Sequence, residues 1–258
     1  MLFCADAKRG RGIMQQCLLN VQNLVIGYRD LSQTRILTQP ISCSVSPASL
    51  IALLGPNGTG KSTLLRTLSG LHAPISGEIE LCGKSLSTLS ARRKAELVGV
   101  VFSQNMAKPN LTVSEYVMMG FYRTLPWNGI LSEEDERRRA ELLTQFTLTS
   151  LSDRRINELS DGEFQRAELA RVMAQSTPLV VMDEPTAHLD YPSRHFIMRM
   201  LKDLVTQLGV SIIVSTHEVD MIKDYADLFW TLNKNGCFQS HTSLTPALLN
   251  EVYDTQIF

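Results

Sequence analysis

The sequence predicts an α/β fold with a mainly parallel sheet, and three observations lead there. Short β-branched runs alternate with amphipathic stretches of about 10–15 residues, the pattern of strands joined by helical crossovers. Composition is that of an ordinary packed domain, with 44% hydrophobic and 20% charged residues. Most telling, four apolar runs end in polar groups: Ser49–Leu54 runs into Gly55, Leu97–Phe102 into Ser103 and Gln104, Leu179–Met182 into Asp183 and Glu184, and Val210–Ser215 into Thr216 and His217. In a parallel sheet those endings share one rim, and that rim is where open α/β sheets bind ligands.

The length of 258 residues allows one domain or two small ones. With 25 Lys+Arg against 26 Asp+Glu the formal charge is −1, which argues against a nucleic-acid partner held by bulk positive charge and against an acidic tail protein. No apolar run approaches the roughly 18 residues that a membrane span needs. The five cysteines (Cys4, Cys17, Cys43, Cys82 and Cys237) are scattered without a CxxC pair, so neither a disulfide framework nor a zinc site is expected. The first residues are too short for a signal peptide core, and Lys8, Arg9 and Arg11 follow them rather than precede them. Residues 1–13 are expected to lack order, with Met14 as an alternative start and 14–258 as a single domain. There is no internal repeat or low-complexity tract.

Taken along the chain, the first strand of the four opens onto Gly55-Pro56-Asn57-Gly58-Thr59-Gly60-Lys61-Ser62, which fits GxxxxGK[ST] and leads through Thr63 into a helix ending near Gly70. The glycines let the backbone curl so that several N–H groups point at phosphate oxygens, and the following helix adds its positive end. Lys61 can reach the β- and γ-phosphates and the Ser62 hydroxyl can ligate Mg²⁺. A merely structural glycine-rich turn is the competing reading, and the strand before and helix after favour nucleotide binding.

Residues from about 105 to 175 read as an inserted helical subdomain. Thr112-Val-Ser-Glu115 is a capping-box pattern opening a short apolar helix. Ser132 can cap the next helix, in which Glu133–Arg137, Glu134–Arg138 and Asp135–Arg139 fall at i,i+4 in the favourable order and mark a solvated face rather than a binding surface. In Leu159-Ser-Asp-Gly-Glu163, Ser160 and Glu163 form another capping box. The same helix start also leaves backbone donors and a hydroxyl for an anion, and local physics does not choose between the two.

The strand Leu179–Met182 ends in adjacent carboxylates whose side chains diverge. Asp183 suits the oxygen shell of Mg²⁺, and Glu184 suits a general base that orients and deprotonates a water. By itself the pair could be a polar loop after a buried strand; beside a P-loop it reads as catalytic. His217 and Gln104 are weak signals alone, a structural histidine and a surface glutamine being the commoner cases. On the ligand rim, His217 can donate to a γ-phosphate and Gln104 can touch Mg²⁺ or the attacking water.

The P-loop, Gln104, Leu159-Ser-Asp-Gly-Glu163, the Asp183-Glu184-Pro185 strand end, Ala187-His-Leu-Asp190 and His217 stand in one order. In that order the chain resembles the ATP-binding subunit of an ABC transporter, from about Leu18 to beyond Asp227. The resemblance implies a P-loop NTPase core with an antiparallel N-terminal β subdomain beside the parallel sheet, and MgATP as cofactor. It implies that Tyr28, which would otherwise read as a core strand aromatic, stacks on adenine. It also implies a head-to-tail homodimer: Ser160, Gly162 and Glu163 of one subunit would cap the ATP held by Gly55–Thr63 of the other, with Asp190 across the same interface. The family's glycine is replaced by Asp161, and a carboxylate there would repel a phosphate, so Asp161 is expected to face solvent or pair with a basic residue. Ser85–Ser90 before Ala91–Leu97, His188-Leu-Asp190 and the tail Leu244–Tyr253 resemble subunits that power import of iron–siderophores, haem or cobalamin.

The resemblance further implies two membrane permease subunits as partners, indirectly a substrate-binding protein, and a peripheral place on the cytoplasmic face of the inner membrane. The stretch Asn105–Arg123 is the expected permease-docking surface. The alternatives are a soluble ABC ATPase of cofactor assembly, repair or translation, an ATP-binding regulator that does not hydrolyse, and a small-molecule kinase. Length for one cassette, the absence of long coiled-coil insertions, and the presence of both Glu184 and His217 favour the transporter reading.

Overall fold

The computed structural model describes residues 17–30, 33–102, 108–124, 129–187 and 189–254. Gln104, His188 and the expectations about residues 1–13 and Met14 lie outside them. In chain order the strands and helices are β1 (Leu19–Val25), β2 (Gly27–Arg29), β3 (Thr34–Ile36), β4 (Ile41–Val45), β5 (Leu50–Leu54), α1 (Lys61–Leu68), β6 (Ser76–Leu81) and β7 (Lys84–Ser85). Then come α2 (Ala91–Leu97), β8 (Val98–Phe102), α3 (Val113–Met118), α4 (Glu133–Gln145) and α5 (Asp161–Ala174). The chain closes with β9 (Leu179–Asp183), α6 (Tyr191–Leu208), β10 (Ser211–Ser215), α7 (Val219–Ile222), β11 (Leu228–Leu232), β12 (Phe238–His241) and α8 (Pro246–Tyr253).

The main sheet has the order β12-β11-β5-β10-β9-β8, parallel throughout except for the antiparallel edge strand β12. Every residue of β5, β9 and β10 is buried, as expected for parallel strands covered on both faces. Period-2 alternation divides their side chains between two hydrophobic clusters. Leu50, Ala52, Leu54, Val180 and Met182 pack with α3, α5 and α6, whereas Ile51, Leu53, Val181 and Ile213 pack with α1 and the antiparallel sheet β4-β1-β6-β7. In register, Ser215 pairs with Asp183 and with Leu53, and Phe102 pairs with Asp183. The four strand endings therefore do share one rim.

The helical stretch does not have a core of its own. Val113, Val117, Leu142, Phe146 and Leu169 belong to the same buried cluster as Leu54, Val101 and Met182 of the sheet. Thr112 caps α3 with a complete capping box, and Ser132 caps α4 by accepting from the Asp135 backbone N–H. The charges of α4 lie on an exposed or half-exposed face, as expected, although Glu133–Arg137, Glu134–Arg138 and Asp135–Arg139 do not form ion pairs. Arg139 instead bonds Glu136 at 2.6 Å and the Ser114 hydroxyl at 2.8 Å, and Arg138 reaches the Met173 carbonyl. Their guanidinium groups satisfy α3 and α5, because a helix packed against neighbours offers fixed acceptors that cost less side-chain entropy than a solvated pair. Among the described cysteines no disulfide forms, and burial pushes the Cys43 thiol up to about 12. No helix among the described residues is long and apolar enough to cross a membrane.

Candidate active site

Central strand β5 delivers the chain to Gly55 at the rim. A Cβ on Gly55 would lie 2.1 Å from the Leu232 carbonyl oxygen of the neighbouring strand, so only glycine can make this exit. The loop closes at Gly60, whose left-handed conformation (φ 106°) starts α1 without a side-chain cap. The first-turn N–H groups of α1 thus have no competing side-chain oxygen at that position. Within the loop the Thr59 hydroxyl donates to the Pro56 carbonyl. Lys61 is buried at 5% exposure and folds back, its Nζ donating to the carbonyls of Gly55 (2.7 Å) and Pro56 (3.0 Å). Burial lowers its pKa, opposed by the negative charges of Glu184 and Asp183, which places both carboxylates within its electrostatic reach. Ser62 and Thr63 follow in the first turn of α1, and Asn57 and Gly58 lie at the loop's outer bend; a Cβ on Gly58 would meet nothing within 4 Å.

Asp183 ends β9, nearly buried, and its Oδ1 accepts a 2.6 Å hydrogen bond from the Ser215 hydroxyl across the ladder. The same Ser215 oxygen accepts from the Glu184 backbone N–H at 3.0 Å. That N–H is also 3.2 Å from the Ser215 carbonyl. Glu184 sits in the left-handed region (φ 48°), a conformation costing on the order of 1–3 kcal/mol for a non-glycine residue and kept only where its surroundings impose it. Its side chain meets His217, whose Nε2 lies 2.5 Å from Glu184 Oε1. His217 thus stands at the strand rim, its Nε2 against the carboxylate of Glu184. The next residue, Glu218, is bound by Arg194, which also donates to the Leu189 carbonyl at 2.7 Å. Ser215 had no assigned role in the sequence reading. Its only sequence signal was a polar residue closing an apolar strand run.

Tyr28 is not a core aromatic. It is 46% exposed on β2, and its hydroxyl lies 2.7 Å from Thr63 Oγ1 in the first turn of α1. Its ring therefore stands beside the phosphate-loop helix.

Ser160, Gly162 and Glu163 line a second place, a cleft of about 430 Å³ between the first turns of α5 and α6, together with Arg166, Ser193 and Phe196; Asp190 is the N-cap of α6 beside it. The Ser160 hydroxyl accepts from the Glu163 N–H and donates to the Glu163 carboxylate, which also takes the Ser160 N–H. That hydrogen bonding holds the Glu163 carboxyl below its usual range. A Cβ on Gly162 would approach Ser193 Oγ to 3.3 Å. Asp190 caps α6 through the Ser193 N–H at 3.0 Å. Among the described residues no hydrogen bond or ion pair joins this cluster to the P-loop, Asp183, Glu184 or His217. Asp161 pairs with a base as expected: Lys108 Nζ lies 3.3 Å from its Oδ1, donates to the Leu159 carbonyl at 3.1 Å, and stands 5.1 Å from the Phe164 ring centroid. A larger groove of about 550 Å³ lies near the opposite rim, between α4 and the α6–β10 turn, away from all of these groups.

The chain is similar to known proteins over most of its length. The ABC transporter family profile matches residues 38–187. The petrobactin import ATP-binding protein YclP of Bacillus subtilis is 31% identical over 228 residues, covering 86% of this chain and 89% of its own. The hemin import ATP-binding protein HmuV of Bordetella avium is 34% identical over 248 residues, covering 92% of each. Proteins named for phosphonate import match at comparable identity. Among solved structures, cbiO1 from Clostridium perfringens, part of the ABC transporter complex cbiONQ, superposes with a TM-score of 0.76 at 26% identity, over 88% of this chain and 89% of that one. With the glycine-bounded loop, the buried lysine and the Asp183–Glu184–His217 group at one strand rim, these matches establish that the chain belongs to the ABC transporter family, as an ATP-binding, ATP-hydrolysing subunit coupled to transport.

Proposed function

We propose that Gly55–Thr63 cradle the triphosphate of MgATP, that Tyr28 stacks on adenine, and that Glu184 is the general base. The contact of His217 Nε2 with Glu184 Oε1 carries this reading, because it orients a carboxylate whose backbone is already held by Ser215. Lys61 exchanges its loop carbonyls for phosphate oxygens, and the loop N–H groups take the remaining charge. Ser62, Asp183 and Gln104 are the oxygen donors for Mg²⁺. The donor set fits a hard cation, since Asp183 is oriented by Ser215 and leaves an oxygen for a metal. When bound, the ion would neutralise charge on the β- and γ-phosphates. Glu184 then accepts a proton from water as its oxygen bonds to the γ-phosphorus, and the bond to the β–γ bridging oxygen breaks, releasing ADP and phosphate. His217 keeps the carboxylate aimed at the water.

Among the described residues no hydrogen bond or ion pair links the second cluster to the first, which supports the head-to-tail homodimer: Ser160, Gly162 and Glu163 would cap the partner's nucleotide, with Asp190 on the same interface. The dimer would drive two permease subunits at the cytoplasmic face of the inner membrane. Half-exposed Met119 and Tyr122 lie in the stretch assigned to permease docking. The cargo read from the petrobactin and hemin relatives is an iron chelate or haem, with cobalamin in the same group. A strain lacking this chain should lose uptake of a ferric chelate or haem; loss of phosphonate uptake alone would overturn that assignment. For the chemistry, Glu184→Gln should retain ATP binding while phosphate release falls at least about 10²-fold. Equal phosphate release by wild type and variant would remove Glu184 as base.

A further inference from the structure

Helix α1 is tied at both ends to the strand that carries Tyr28. At its start, Thr63 Oγ1 meets the Tyr28 hydroxyl at 2.7 Å. At its end the chain folds back, the Leu71 and His72 N–H groups donating to the Arg66 carbonyl at 2.9 and 3.2 Å. This return brings His72 Nε2 to 2.7 Å from the carbonyl oxygen of Gly27, the residue just before Tyr28. A carbonyl only accepts, so Nε2 carries the proton there. The imidazole also flanks the Tyr28 ring, with centroids 5.2 Å apart and planes inclined at 57°. Strand β2 has no slack at this point: a Cβ on Gly27 would lie 2.1 Å from the Arg35 carbonyl of β3. The Ile75 N–H donates to the Val25 carbonyl at 2.8 Å, binding the same return loop to the strand edge.

The result is a half-exposed aromatic ring whose backbone and hydroxyl are both referenced to the helix that carries the phosphate loop. A ring left free in solvent would lose rotational freedom on stacking against a base; one already held loses less. We infer that His72 is a positioning residue for the nucleotide base: through Gly27 and the Tyr28 ring it fixes the stacking platform at a set distance from the phosphate cradle. It thereby favours ligands that carry a purine as well as a triphosphate. The inference deepens the proposed function and rests on its reading of Tyr28 as the base-stacking residue.

Calorimetry on the purified full chain with two probes, MgATP and magnesium tripolyphosphate, separates the base from the phosphates. His72→Ala should weaken MgATP binding roughly 5- to 10-fold and leave tripolyphosphate binding unchanged. Its KM for ATP should rise by the same factor with kcat held. His72→Gln, which keeps an N–H donor for Gly27, should recover most of the ATP affinity. The inference is overturned if His72→Ala binds MgATP as wild type does, or if both probes weaken together, which would mean general loosening of α1. Tyr28→Ala tests the underlying reading separately: if it binds MgATP as tightly as wild type, the base does not stack there, whatever His72 does.

Discussion

Ser215 uses one hydroxyl to orient the Asp183 carboxylate and to hold the backbone of Glu184, donating to Asp183 and accepting from the Glu184 N–H. Nothing in the order of residues announces this, because Ser215 lies 32 positions from Asp183 and meets it only across a parallel ladder. Asp161 is a second case. Its charge at a helix start was legible as a problem, but the solution, Lys108, is 53 residues away and three times engaged: with Asp161, with the Leu159 carbonyl and beside the Phe164 ring. If Ser160 and Gly162 face a partner's phosphates, Lys108→Met leaves the Asp161 carboxylate uncompensated there. ATP-driven association should then weaken, by only a few-fold because an exposed pair contributes under about 1 kcal/mol. The double variant Lys108→Met/Asp161→Gly should return to wild-type association. Light scattering across an ATP titration would show it, and a double variant no better than Lys108→Met would mean that the lysine acts on something other than Asp161.

Among elements, those whose ends are governed by neighbours in sequence were the readable ones. The capping boxes at Thr112 and Ser160 satisfy orphan N–H groups within four residues, so pattern and structure agree. Thr112→Ala should lower stability by about 1 kcal/mol, near 2–4 °C in Tm, with MgATP affinity unchanged and Thr112→Ser close to wild type. Hydrogen bonds from Thr112 lower the pKa of Glu115, so its contribution exists above the ordinary carboxylate range and is lost as pH falls through the lowered value. Thermal melts of wild type and Glu115→Gln should therefore differ near neutrality and converge in acid. A gap that widened in acid would contradict the cap. Helix α4 presents the solvated charged face that its sequence predicts, but two of its arginines also find acceptors on α3 and α5, which a helical wheel of α4 alone does not contain.

For the whole molecule, the physical separation of two clusters matters most. The P-loop and the Asp183–Glu184 carboxylates sit on the sheet rim, while Ser160, Gly162 and Glu163 open onto a different cleft. In the proposed head-to-tail dimer, one chain would hold two halves of a site. Slowing hydrolysis with Glu184→Gln should let MgATP double the mass seen by light scattering, and withholding nucleotide should reverse it; a variant that stays monomeric while saturated with MgATP would rule out the trans arrangement. The linear sequence was enough to specify the α/β class, the four strand endings, the glycine loop with Lys61, and the Asp183–Glu184 pair, because those depend on local periodicity and on chemistry packed into a few consecutive residues. It could not specify that Ser215 holds both Asp183 and the Glu184 backbone, that Glu184 meets His217, that Lys108 pairs with Asp161, or that His72 braces Tyr28. Each of those joins residues distant along the chain, and only the packing of strands and helices brings their atoms within hydrogen-bonding range.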